Sequence, residues 1–154
     1  MRYTFLNPNG YTSYLDNERT DKLGKPIYRV EIHLPDGLMI YDSERNLTFV
    51  LHSRYSDLAS IPKAIQIIKG FENWRWRRSA IAHDEVYRHG YLSTLRGECV
   101  FFSRCDADDM LASLILCEGK LLQKRMLSYV CSPIYWVGVQ LFGWMSFMKK
   151  EKIT

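Results

Sequence analysis

Two stretches hold the side chains whose types and spacing could do chemistry. The first is Ala82-His83-Asp84-Glu85-Val86-Tyr87, and the second is Ser103-Arg104-Cys105-Asp106-Ala107-Asp108-Asp109. Trp76, Ala80, His83 and Tyr87 recur at intervals of four, three and four, so on a helix they share one face. His83 therefore points where the apolar residues point, with Asp84 about 100° round the axis. Asp108 leads a second stripe with Leu111, Ala112, Ile115 and Leu122, so its carboxylate also faces inward. A buried imidazole without a partner costs roughly 1–3 kcal/mol. Packing the two helices with Asp108 against His83 removes that cost. Such a pair is either a satisfied core histidine or an acid–base device, because a neutral imidazole held by a carboxylate can take a proton from water.

The elements that must position these residues follow from the periodicity around them. Ile27 to Leu34 alternates, with Tyr28, Val30, Ile32 and Leu34 on one face, which predicts a half-buried strand. Pro35-Asp36-Gly37 turns the chain, Leu38 to Tyr41 returns, and Leu47 to His52 is rich in β-formers. These three runs predict a small antiparallel β-meander over about 27–52. Ser60 and Pro62 then open a short helix that Gly70 closes. The helix carrying His83 follows, Gly90 to Phe102 reads as a loop, and Ser103 caps a further helix to about Leu122 with Gly119 as a break. Strands followed by helices predict an α+β domain with three or four packed helices.

The two ends are less regular. Residues 1–24 read as an N-terminal extension that docks elsewhere, residues 25–148 as a single α+β domain, and residues 149–154 as a basic tail. Leu127 to Met148 carries no charge and is flanked by Lys124, Arg125, Lys149 and Lys150. Its length would suit a membrane span. Pro133, Gly138, Gln140, Gly143 and Ser146 interrupt it, and its aromatics do not form two belts. It is therefore expected as a buried or interface-forming terminal helix, with membrane contact as the alternative.

Composition bounds the rest. A chain of 154 residues, 47% hydrophobic and 25% charged, is an ordinary single globular domain. The net charge of +4 is mild, and its basic residues are scattered apart from Arg75, Arg77 and Arg78 and the last lysines. With no base-stacking or groove-reading motif, nucleic acid is not the expected partner. The four cysteines lack metal-site spacing, and no apolar leader opens the chain, so reduced thiols and cytoplasmic synthesis are expected.

Taken in order, Ser56-Asp57-Leu58-Ala59-Ser60-Ile61-Pro62, Ala82-His83-Asp84-x-x-Tyr87, Ser103-Arg104-x-x-Ala107-Asp108 and Leu141-Phe142-Gly143 resemble a family of small phage and prophage proteins catalogued as a domain of unknown function. The resemblance spans roughly residues 27–143. It implies a phage or prophage source: synthesis in the infected host cell, then residence in the virion. It supplies no activity. The chain would then be a virion-associated or assembly protein, a tail or capsid accessory, meeting other phage proteins through residues 127–148 and the N-terminal extension.

A narrower resemblance concerns chemistry. His-Asp-x-x-Tyr on one helix with an Asp on a facing helix is similar to the core of phospholipase A2 enzymes, most of all those of parvovirus capsids. It implies His83 as general base, Asp108 as the acid that orients it, Tyr87 as a supporting hydroxyl and Asp84 as a ligand to calcium. Those enzymes also bind calcium through a Gly-rich loop before the His, which this chain lacks. Asp57 is the candidate to replace it. The alternative function is thus a metal-dependent hydrolase acting on a lipid or cell-envelope ester or amide.

Overall fold

Strand and helix boundaries follow the local chemistry closely wherever a turn or cap fixes them. The computed structural model describes residues 1–20, 26–32, 37–52, 55–56 and 76–142. The expected helix at Ser60, the candidate ligand Asp57, the basic tail and the end of the apolar segment from Gly143 onward lie outside these residues.

Eight strands and three helices are described: β1 (Tyr3–Phe5), β2 (Tyr11–Thr20), β3 (Pro26–Ile32), β4 (Met39–Asp42), β5 (Leu47–Val50), β6 (Tyr55–Ser56), α1 (Arg77–His89), β7 (Tyr91–Thr94), β8 (Cys99–Phe101), α2 (Arg104–Leu121) and α3 (Arg125–Phe142). The domain is α+β, as the switch from alternating to helical periodicity predicts. A five-stranded sheet has the order β1-β4-β5-β7-β8, and a three-stranded sheet has the order β2-β3-β6. All pairings are antiparallel.

The meander needs correction. Only its β4–β5 hairpin exists, with Ile40 opposite Phe49. The strand beginning near Ile27 belongs to the other sheet, where β3 lies between β2 and β6. Its partner β2 comes from the opening segment expected to stand apart from the domain. That segment also supplies β1, which pairs with β4 and buries Tyr3 and Phe5 in the core. The expected loop from Gly90 to Phe102 is the β7–β8 hairpin, with Gly97 in its turn at φ 81°. The edge strand β8 leaves Cys99 and Phe101 exposed, so it shows no apolar alternation to read.

The helices end where backbone chemistry requires. Gly90 closes α1 at φ 74°, a left-handed conformation open to glycine, and its N–H donates to Val86 O at 2.7 Å. Ser103 caps α2 in a reciprocal box with Asp106. Gly119 does not break α2; it is the point where α3 crosses. A Cβ there would sit 2.2 Å from Ser128 Cβ.

The core has two parts. Tyr3, Phe5, Ile40, Phe49 and Leu92 from the five-stranded sheet pack on Ile81, Ala82 and Val86 of α1 and on Ala107, Met110 and Leu114 of α2. A second cluster of Trp76, Leu111, Ile115, Cys131 and Tyr135 joins the other side of α2 to α3. Helix α2 is thus apolar on both sides, and each fully buried Leu or Ile contributes about 1.5–3 kcal/mol. No helix among the described residues is long and apolar enough to cross a membrane.

Candidate functional site

The centre of the site is Asp108, which is fully buried in the first turns of α2. Its two oxygens divide the work. Oδ1 accepts from the Tyr87 hydroxyl and lies 3.2 Å from His83 Nε2. Oδ2 accepts from Gln140 Nε2 at 3.0 Å and lies 3.8 Å from Arg104 Nη1. His83 and Tyr87 come from α1, Asp108 and Arg104 from α2, and Gln140 from α3. One carboxylate therefore bonds to side chains on all three helices.

The placement follows from helical geometry. His83 and Tyr87 are four residues apart, so their rings lie over one another on α1, with centroids 3.9 Å apart. Arg104 and Asp108 bear the same relation on α2. Arg104 also donates to Gln140 O at 3.0 Å and to Val139 O at 3.4 Å, near the end of α3. A cation suits the carbonyl end of a helix, where the backbone dipole is negative. It is also the positive charge next to the buried Asp108 carboxylate.

The site is closed. His83 is 5% exposed, Tyr87 3% and Asp108 0%. Burial raises the Tyr87 phenol well above its ordinary range, and the hydrogen bond to the Asp108 carboxylate adds to the shift. Tyr87 is thus a neutral donor. A buried carboxylate needs such donors, because removing an unpaired charge from water is expensive.

Neighbouring acids on α1 are also occupied. Asp84 is buried and its Oδ2 accepts from Ser56 Oγ at 2.5 Å, which ties α1 to β6. The Glu85 carboxylate accepts from the backbone N–H of His52, with N···O distances of 2.9 and 3.0 Å. Of the two expected cation ligands the structure describes only Asp84. No group of three His, Cys, Asp or Glu side chains able to hold a metal occurs among the described residues. The described donor set therefore does not make a metal centre.

The structure brings His83, Tyr87 and Asp108 together, as their inward stripes predict. It adds three partners that sequence reasoning missed: Gln140 and Arg104 on Asp108, and Ser56 on Asp84. Gln140 had a signal, being a polar amide within an uncharged apolar run. Reading it as an interruption hid its role as a donor. A second buried carboxylate was also missed. Glu118 accepts from Ser79 N at 3.2 Å, Ser79 Oγ at 2.8 Å and Arg78 Nη1 at 3.2 Å, so it caps the start of α1 from α2. Burial pushes its carboxyl up, while these bonds oppose the shift. Asp109 is exposed and accepts from Trp136 Nε1 at 2.7 Å.

Comparison of the chain with protein-family models, curated proteins and solved structures finds no match.

Proposed function

We propose that the chain is a virion-associated or assembly protein of phage or prophage origin, in which the His83–Tyr87–Asp108 network is a structural tie rather than a catalytic centre. The observation that carries this reading is the closure of the network. An acid–base device needs water and substrate at the imidazole, and the three side chains are almost wholly covered. Bonding of one carboxylate to α1, α2 and α3 is what a fold-locking network requires. The phage assignment rests on the ordered motifs of the sequence. The docking surface in this reading is the outward face of α3.

A second reading, a hydrolase of lipid or cell-envelope esters or amides, is favoured by one observation. The imidazole Nε2 meets Asp108 with Tyr87 on the same oxygen, a base-and-orienter arrangement. Two measurements separate the readings. Peptides of the chain should appear in purified particles of the phage that encodes it. The purified protein should hydrolyse neither phospholipid nor envelope fragments, with or without calcium, magnesium, manganese or zinc. Hydrolysis that His83→Gln abolishes while the melting temperature is unchanged would establish the enzyme instead.

A further inference from the structure

A surface helix ordinarily turns its polar face to water, but α3 does the reverse. Its inner face buries Ser128, Cys131, Ser132 and Tyr135. Its outer face carries Met126, Tyr129, Val130, Trp136, Val137 and Leu141, exposed by 82, 60, 54, 39, 47 and 61%. On a helical wheel these six fall within about 140° of one another. They run as one stripe along an 18-residue helix, about 27 Å at 1.5 Å per residue. No acidic residue occurs in α3, and its single charged residue is Arg125 at the start. Exposed apolar stripes of this kind mark interaction surfaces.

Charge distinguishes between the possible occupants. The α2–α3 turn at one end of the stripe presents Lys120, Lys124 and Arg125, all exposed. With Gln123, Met126 and Leu127 these cations line a surface hollow. Leu121 and Leu122 beside them are also exposed. The nearest acid along the stripe, Asp109, is held by the Trp136 indole. An apolar face with tyrosine and tryptophan on it and cations at its margin matches an anionic lipid surface. The side chains enter the acyl boundary, the aromatic rings sit at headgroup level and the cations meet phosphate. A second copy docking through the same helix would need a matching acidic rim, and α3 carries no acidic residue.

We propose that the outer face of α3 docks on the surface of an anionic lipid bilayer, lying in the interface rather than crossing it. The proposal rests on the reading of α3 as the docking surface, and it names the partner as lipid rather than another phage protein.

The test is flotation of the purified full-length chain with vesicles of phosphatidylcholine alone and with phosphatidylglycerol added. Binding should require the anionic lipid and fall as salt is raised. Each of Lys120→Gln, Lys124→Gln and Arg125→Gln should weaken partitioning about fivefold. The exposed pair Val130→Ser and Val137→Ser should abolish binding while leaving the melting temperature in place. Absence of binding to anionic vesicles, or binding that Val130→Ser and Val137→Ser leave intact, overturns the proposal. So does self-association without vesicle binding that the same pair abolishes; it would assign the face to a second copy. The measurement uses pure protein and lipid, so its failure is distinct from absence of the chain from phage particles.

Discussion

At the residue scale, Asp108 is the group on which most depends. Its removal takes an acceptor from Tyr87, His83 and Gln140 together, and a buried donor that loses its bond costs about 1–3 kcal/mol. Asp108→Ala should therefore lower stability by several kcal/mol in urea unfolding. Gln140→Ala should cost about 1 kcal/mol, because Arg104 remains beside the same oxygen. Equal losses for the two variants would show that Asp108 is not the hub. Half of this site was legible in the sequence. His83, Tyr87 and Asp108 lie on inward stripes of two helices, and periodicity exposes such stripes without coordinates. Ser56 and Gln140 reach the site by the folding of distant segments, and no local pattern records that approach.

At the element scale, helix ends and crossings decide the geometry. Gly90→Ala forces a Cβ into the left-handed conformation at φ 74° and should cost roughly 1–2 kcal/mol. Ser103→Ala removes the side-chain half of the α2 capping box and should cost about 1 kcal/mol. Thermal melts check both. At the α2–α3 crossing, Gly119→Ala should destabilise by about 1–3 kcal/mol through overpacking against Ser128. Adding Ser128→Gly should restore much of that loss, and no restoration would move the clash elsewhere. The Ser103 cap was readable because a serine at a helix start acts on backbone groups within a few residues. The crossing was not. A glycine near a helix end reads as a stop, and only the approach of a second helix gives it another purpose.

At the scale of the whole molecule, Asp42 joins the start of the chain to the five-stranded sheet. Arg2 donates to both of its oxygens at 3.0 Å, and the backbone N–H groups of Glu44 and Arg45 donate to Oδ1. Burial alone would raise this carboxyl, but the Arg2 guanidinium and the two N–H bonds outweigh it and hold the group below its ordinary 3.8. A folded-state value below the unfolded one means stability that is present above about pH 4 and lost as pH falls through the folded value. Asp42→Asn should destabilise at neutral pH and flatten the stability profile below about pH 4, read from denaturant midpoints across pH. Glu118 has the opposite sign. Its raised carboxyl favours the fold most at acid pH, and that contribution declines as pH rises through the folded value.

Composition, alternation and capping chemistry by themselves determined an α+β class, the His83 and Asp108 helices with their inward faces, and a terminal helix rich in apolar residues. Each depends on neighbours a few residues apart. The tertiary structure alone decided that β3 pairs with β2 rather than β4, that the opening segment supplies an edge strand to each sheet, and that Gln140 and Arg104 complete the shell around Asp108. It also decided which face of α3 remains uncovered. Strand pairing and helix docking join residues far apart in the chain, and an apolar side chain looks the same in sequence whether a neighbour covers it or solvent does.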